Sequence, residues 1–205
     1  MISQTSTASC AQKARLRARL RGGRGGLSAA AQGRAAVGLL GQFRNLPGLA
    51  QVGCCALYLA RDGEIDPAPI ADYLWRRQVR LALPVVGSEA GGGLSFKPFC
   101  RAGRLVKNRL GLDEPDTAAT VDLAALDLVL LPVVGFDRYG NRLGMGGGYY
   151  DRTFAYKIQH PERAPQLIGL AHSFQQVDEL AADPWDVPLA GVLTECGYIA
   201  ARPGG

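Results

Sequence analysis

The chain has 205 residues, of which 47% are hydrophobic and 20% are charged. This composition supplies a core without disulfides or metals, which excludes a largely disordered, collagen-like or coiled-coil protein. No apolar run reaches the roughly 20 residues that span a bilayer, so we expect no membrane span.

The net charge of +5 is unevenly distributed along the chain, because residues 1–61 hold nine basic residues and no acidic one. A basic N-terminal third indicates an anionic partner: nucleic acid, a membrane surface or nucleotide phosphates.

The N-terminal third predicts two helices. Residues 1–11 are rich in Ser and Thr, and we expect a flexible N-terminus there. Residues 12–21 predict a short basic helix, which the glycines within 22–26 end. Ser28 is a suitable N-cap for a second helix that continues to about Phe43.

The rest of the chain alternates apolar strands with helices, which predicts an α/β fold. The predicted strands are 52–60, 81–86, 94–99, 127–134, 166–171 and 191–195, and the last of them ends the sheet. The predicted helices are 68–78 and 149–159, whereas 108–116 and 135–148 are predicted to be loops. We expect a three-layer α/β/α, Rossmann-like architecture with a mainly parallel central sheet, and one domain over 12–200 followed by a short tail at 201–205.

The cysteines favour a reducing environment. They number five, an odd count, and include no C-x-x-C pair or Cys/His cluster. We therefore expect small buried side chains rather than disulfides or a structural zinc, and a cytoplasmic protein.

A glycine-rich loop follows the strongest predicted strand. Gly140, Gly144 and Gly146–Gly148 lie between strand 127–134 and the next helix, with Arg142 among them. Glycines let the backbone approach a ligand, and free N–H groups bind anions, so the loop suits a polyphosphate. The pattern is neither a Walker A motif nor a dinucleotide fingerprint. The alternative is a tight connection with no ligand.

Carboxylates near this loop are candidate Mg²⁺ ligands. Asp151 follows the glycines, where it would either complement the helix dipole or bind a metal beside phosphates. A second carboxylate is expected from the loop between the last two predicted strands, which carries Asp183 and Asp186.

The basic N-terminal helix offers cations on one face. Lys13 and Arg17 are four residues apart, and Arg21 and Arg24 continue the stripe. The stripe would be a solvated face, a phosphate clamp or an RNA-backbone contact. No aromatic residue occurs within 1–42, which weakens the RNA interpretation.

At this point the sequence resembles a known family. The run LPVVGFDRYGNRLGMGGGYYDR at 131–152 is similar to the signature of the 5-formyltetrahydrofolate cyclo-ligases, also called 5,10-methenyltetrahydrofolate synthetases. Other segments fit in order: KARLR at 13–17, ALYLARDGEID at 56–66, NRLGLDEPD at 108–116 and IGLAHSFQQVDELAADPWDVPLAGVLTE at 168–195. The resemblance covers about residues 12–199.

The resemblance implies an ATP- and Mg²⁺-dependent enzyme that converts 5-formyltetrahydrofolate into 5,10-methenyltetrahydrofolate. Its implied ATP-binding residues are Lys13, Arg17, Arg142, Leu143, Gly144, Met145, Gly146, Gly147, Gly148 and Tyr149. Its implied metal ligands are Asp151 and Asp186, with Asp183 as a competitor. It implies further that Glu64 binds the pterin ring, that Tyr150 lines the folate site, and that Arg142 and Tyr150 take part in catalysis.

Two other interpretations stay open. One is a related ATP–Mg²⁺-binding protein that acts on a non-folate substrate. The other is a basic RNA-binding module, which would bind RNA with a steep salt dependence. We favour the cyclo-ligase, and expect a monomer with a small-molecule substrate and no nucleic-acid or membrane partner.

Overall fold

A computed structural model gives the structure of the protein, describing residues 3–87 and 91–202, with side chains from Cys10 onward. The helices are α1 Ser3–Gly25, α2 Ala29–Phe43, α3 Ala68–Arg76 and α4 Tyr149–Thr153. The strands are β1 Cys54–Ala56, β2 Arg80–Val86, β3 Leu94–Pro98, β4 Leu105–Lys107, β5 Asp113–Pro115, β6 Leu128–Pro132, β7 Gly135–Phe136, β8 Arg142–Leu143, β9 Gln166–Leu170, β10 Gly191–Thr194 and β11 Gly197–Ala200. None of the helices described is both long and apolar enough to cross a membrane.

The central sheet has seven strands in the order β11-β10-β9-β6-β1-β2-β3. The five inner strands run parallel, and β3 and β11 pair antiparallel at the two edges. The predicted α/β fold with a mainly parallel sheet is thus confirmed. Strand order reverses between β1 and β6, and in such sheets ligands bind beyond the carboxyl ends of the strands at this reversal.

Alternation of side chains along the strands divides the core into two layers. Cys55 and Leu57 face the cluster that holds Leu39 and Phe43 of α2. Cys54 and its neighbours on the other face pack with Phe154 and the loops after β6 and β9. The second face is covered by the short α4 and by irregular segments. Because both faces of the sheet are buried, nearly every residue of its inner strands has to be apolar.

Helix α1 differs from its sequence prediction. It begins at Ser3, before the predicted start at residue 12, and ends at Gly25, four residues after residue 21. The predicted end within the glycines of 22–26 is thus confirmed, while Gly22 and Gly23 are still helical because tertiary contacts offset the cost of about 1 kcal/mol per helical glycine. The flexibility expected for residues 1–11 stays a prediction. Leu20 is buried against Val134, and a side chain at Gly23 would meet the Phe174 ring at 2.9 Å. Met1, Ile2 and the tail residues 203–205 lie outside the described residues.

Other elements follow the sequence more closely, with four differences. The first is that the helix predicted over 149–159 ends at Thr153 and is followed by a 3-10 turn. Ser28 caps α2 as predicted, since its hydroxyl accepts a hydrogen bond from Ala31 N. The predicted loop 108–116 contains β5, which pairs with β4, and the predicted loop 135–148 contains the β7–β8 hairpin. The last strand is β11, which follows the predicted one.

Gly140 tests how far the fold depends on one glycine. It has a φ of 85°, and an added Cβ would lie 2.6 Å from the Leu189 carbonyl oxygen. Gly111 has a similar φ of 71° but no atom near its Cβ position. We expect Gly140→Ala to lower the free energy of unfolding by about 2–4 kcal/mol and Gly111→Ala by only about 1 kcal/mol. Both variants place an alanine at a positive φ, but only the alanine at 140 also clashes with the Leu189 carbonyl. Urea denaturation measures both, and equal losses would contradict the clash.

Candidate active site

A cleft of about 1260 Å³ opens beyond the carboxyl ends of β1 and β6. This volume exceeds the 300–1,000 Å³ that is usual for a pocket holding one small molecule. The cleft is lined by residues from α1, from the segment after β1, from β2, from the glycine-rich loop and α4, and from the loop between β9 and β10. Nearly all predicted site residues line it: Lys13, Arg17, Glu64, Arg142, Leu143, Gly144, Met145, Gly146, Gly147, Gly148, Tyr149, Tyr150, Asp151, Asp183 and Asp186.

The glycine-rich loop presents free backbone donors to the cleft. Within the described part of the chain, no residue accepts a hydrogen bond from the N–H groups of 145–148. Gly146 and Gly148 have φ values of 96° and 63°, which favour glycine. The loop is held in place by Arg17, whose Nε donates to the Gly144 carbonyl at 2.8 Å. Free N–H groups beside cations are a suitable site for an anion.

Arg142 and Asp151 form a pair at the base of the loop. The Arg142 guanidinium donates to Asp151 Oδ1 and to the Val187 carbonyl, and its side chain is only 7% exposed. The same Asp151 oxygen accepts from Val187 N at 3.0 Å. These bonds fix both side chains, while Asp151 Oδ2 accepts no hydrogen bond from the residues that the structure covers.

Asp183 and Asp186 lie together with Lys13, in the loop whose Val187 contacts both Arg142 and Asp151. Asp183 N donates to Asp186 Oδ2 at 2.8 Å, and Lys13 Nζ lies 2.7 Å from Asp183 Oδ2 and 3.9 Å from Asp186 Oδ2. The loop that carries them connects β9 to β10, as predicted. Lys13 therefore connects α1 to the acidic loop and points into the cleft.

Glu64 and Tyr150 occupy the other end of the cleft. Glu64 follows β1, with Oε2 accepting from Arg61 N at 3.2 Å and Oε1 lying 3.8 Å from Arg24 Nη1. Burial raises the pKa of the Glu64 carboxyl, and the Arg61 N–H and the Arg24 cation oppose this rise. Burial, with the Glu64 charge second, raises the pKa of the Tyr150 phenol, so Tyr150 remains a neutral hydroxyl that can donate a hydrogen bond.

Sequence reasoning missed two features of the site. Trp185, which is exposed and lines the cleft, lies between the two acidic residues of its loop. Arg24 was expected on an exposed or phosphate-facing stripe, yet its side chain is 1% exposed and faces Glu64. The sequence did carry a signal that Arg24 belongs to the site. It lies two helical turns after Arg17, and that spacing places both side chains near one side of α1.

Comparisons with known proteins agree with this geometry. The 5-formyltetrahydrofolate cyclo-ligase family matches residues 9–195. The 5-formyltetrahydrofolate cyclo-ligase of Escherichia coli (strain K12) is 39% identical over 155 residues, covering 75% of this chain and 84% of that relative. The one from Haemophilus influenzae is 34% identical over 184 residues, covering 89% and 97%.

Solved structures show the same similarity. The 5,10-methenyltetrahydrofolate synthetase of Aquifex aeolicus aligns with a TM-score of 0.77 and 29% identity, covering 94% of each chain. The Mycoplasma pneumoniae 5,10-methenyltetrahydrofolate synthetase aligns with a TM-score of 0.70 and 29% identity, covering 89% of this chain and 98% of that one. Since the family match extends over nearly the whole chain, the resemblance seen in the sequence is confirmed: the chain belongs to the 5-formyltetrahydrofolate cyclo-ligase family.

Proposed function

We propose that this protein converts 5-formyltetrahydrofolate into 5,10-methenyltetrahydrofolate and uses ATP to do so. The supporting observation is that one cleft of about 1260 Å³ combines two kinds of binding surface. At one end are the free N–H groups of the glycine-rich loop with Lys13, Arg17 and Arg142. At the other end are Glu64 and the neutral Tyr150 hydroxyl. The cleft has room for a nucleotide and a folate side by side.

The chemistry fits such a site. The formyl oxygen attacks the γ-phosphorus of ATP, and ADP leaves. N10 then attacks the activated formyl carbon, and the C–O bond breaks with release of phosphate, which takes up the proton that N10 loses. An amide oxygen is a poor leaving group and phosphate is a good one, so the phosphoryl transfer makes ring closure feasible. The protein's task is to position the two substrates and neutralise charge.

The cations and the loop suit the triphosphate. Arg17 and Arg142 lie beside the loop, held by the Gly144 carbonyl and by Asp151. Lys13 reaches the same cleft from α1. We infer that the backbone of 143–149 wraps the phosphates. Because its bonds to Asp151 and the Val187 carbonyl hold Arg142 in place, it supports phosphoryl transfer with little reorganisation.

Asp151 and Asp186 suit a Mg²⁺ ion. The described residues contain no group of three or more metal-ligating side chains. Mg²⁺ beside phosphates needs only one or two carboxylates, so two are enough. Among residues 3–87 and 91–202, no group donates a hydrogen bond to Asp151 Oδ2. Lys13 Nζ lies 2.7 Å from Asp183 Oδ2 but 3.9 Å from Asp186 Oδ2, which favours Asp186 as the second ligand. When bound, the ion would neutralise phosphate charge.

Glu64 and Tyr150 suit the folate. A carboxylate accepts two N–H groups from the 2-amino-4-oxopyrimidine edge of a pterin, as it does from other planar donor pairs. Glu64 is held by the Arg61 N–H in the turn after β1. Tyr150 packs against the core and remains protonated, so its hydroxyl can donate to substrate oxygen.

A spectroscopic assay tests the function directly. Purified protein is mixed with 5-formyltetrahydrofolate, Mg²⁺ and ATP, and the near-ultraviolet absorbance of the methenyl product is followed. We expect a rise that requires ATP. ATP binding without methenyl product would instead support the alternative of a non-folate substrate.

Glu64→Gln tests the folate end separately from the nucleotide end. The amide keeps the size of the side chain but loses the negative charge and one acceptor. We expect KM for 5-formyltetrahydrofolate to rise by about tenfold or more, the usual loss for one charged hydrogen-bonding pair, while KM for ATP stays unchanged. Steady-state kinetics with each substrate varied in turn provide both values. Equal changes in the two KM values would contradict the assignment of Glu64 to folate.

The RNA-binding alternative is less well supported. Lys13 and Arg17, two of the nine basic residues within 1–61 that motivated it, line the cleft and are engaged by Asp183 and the Gly144 carbonyl. They are thus poorly placed for an RNA backbone.

A further inference from the structure

Arg24 is a buried cation with an unusual environment. It lies in the last turn of α1, where its side chain is 1% exposed. Its Nε and Nη2 atoms are buried without a hydrogen-bond partner among residues 3–87 and 91–202. The only carboxylate within ion-pair distance in this part of the chain is Glu64, at 3.8 Å from Nη1, and Glu64 is itself only 10% exposed.

The buried pair of Arg24 and Glu64 is poorly suited to stabilise the fold. Removing a guanidinium from water is costly, and a buried ion pair with unsatisfied N–H groups is often no more stable than apolar residues of similar size. The pair distance of 3.8 Å is also too long for a good hydrogen bond. Arg24 therefore acts on Glu64 through charge and occupies none of its acceptor positions, of which Arg61 N takes one at Oε2.

The other groups that face Glu64 do not replace this charge. Arg61 and Asp62 belong to the same turn and are exposed to solvent, so their charges are largely screened. Tyr58 and Tyr150 approach from β1 and α4 and are neutral, since burial raises the pKa of both phenols. The buried cation at Glu64 is Arg24 from α1.

The backbone beside Glu64 is fixed from other elements. Gly63 O accepts from Gln32 Nε2 of α2 at 3.1 Å and contacts His172 Nε2, after β9, at the same distance. Burial lowers the pKa of His172, so this ring is neutral and adds no charge beside Glu64. The turn is thus held in position without Arg24, whose separate contribution is electrostatic.

We propose that Arg24 is a positioning residue that keeps Glu64 ionised and directed into the cleft, ready to accept the N–H pair of an aminopyrimidine ring. The inference rests on the proposed function of Glu64 in folate binding. Burial alone favours the protonated carboxyl, which would lose one acceptor. Without Arg24 the pKa of Glu64 would rise further, so binding would weaken most at acidic pH.

The test compares Arg24→Met and Arg24→Lys with Arg19→Met, an exposed position on the same helix. We expect Arg24→Met to raise KM for 5-formyltetrahydrofolate by about tenfold, with KM for ATP unchanged. The loss should be larger at mildly acidic than at mildly alkaline pH. Arg24→Lys should restore most of the affinity, and Arg19→Met should match the unmodified protein. Arg24→Gln repeats the comparison if Arg24→Met does not fold.

A double variant separates this inference from a purely structural role. In a Glu64→Gln background, Arg24→Met should add little to KM for folate, because the charge it supports is already gone. Additive losses, equal effects on both substrates or a pH-independent loss would overturn the inference while leaving folate turnover in place. If the unmodified protein makes no methenyl product, the proposed function falls and the inference falls with it.

Discussion

Replacing Asp151 by Asn is expected to lower kcat/KM by about a hundredfold or more, an effect typical of losing one group that stabilises charge in the transition state. The amide oxygen can still accept the hydrogen bond from Val187 N, but the variant loses the negative charge that faces Arg142 and the proposed Mg²⁺ ion. The variant should also need more Mg²⁺ to reach half of its maximal rate. The methenyl absorbance assay over a Mg²⁺ series measures both effects.

Three further variants make this result specific. Asp178→Asn changes an exposed aspartate outside the cleft and should have no effect. Asp186→Asn should raise the Mg²⁺ concentration needed for half of the maximal rate, as Asp151→Asn does, whereas Asp183→Asn should not, because Lys13 already engages Asp183. An unchanged Mg²⁺ requirement in Asp151→Asn would contradict its role as a metal ligand. Circular dichroism checks folding, since Arg142 loses a buried partner.

Arg142→Met is the second change with a large expected effect. We expect kcat to fall by about a hundred- to a thousandfold, as when a preorganised donor is removed from a charge-developing site. KM for 5-formyltetrahydrofolate should change little, because Arg142 lies at the phosphate end of the cleft. Steady-state kinetics with both substrates provide the comparison.

Arg142→Lys and Arg138→Met serve as controls for this variant. Lysine keeps the charge but cannot bond to both Asp151 and the Val187 carbonyl in the geometry of a guanidinium, so only partial recovery is expected. Arg138 is an exposed arginine earlier in the same loop, and its replacement should leave kcat unchanged. A small loss in Arg142→Met would show that Arg142 only supports the loop.

Much of the sheet was predictable because its strands are buried on both faces. Strands β6 and β9 are almost entirely apolar. In an α/β protein such a short apolar run is typical of a strand inside a parallel sheet that is covered on both faces. The hairpin β4–β5 was missed because its strands have only three residues each and are mostly exposed, so they show no alternation to detect. The antiparallel edge strand β11 was missed for the same reason, since its pattern of half-buried residues is weak.

The glycine-rich loop was predictable as a site because its chemistry is local. Consecutive residues supply the free N–H groups, Arg142 and Asp151, so the spacing in the sequence already places them together. Lys13, Glu64 and Asp186 are far apart in the chain. The basic helix face and the loop position suggested that Lys13 and Asp186 could act near the phosphates, whereas the resemblance to family motifs placed all three residues in one site. The structure brings all of them to one cleft.

The sequence by itself determined the alternation of strands and helices, the position of the glycine-rich loop and the family. Those properties follow from local composition and spacing. Only the tertiary structure decided that Gly22 and Gly23 are still helical in α1, and that Arg24 lies buried at 3.8 Å from Glu64. Both depend on long-range packing. Tertiary contacts offset the low helix propensity of the glycines in α1, and they bury the Arg24 charge, which the sequence alone would leave on a solvated face.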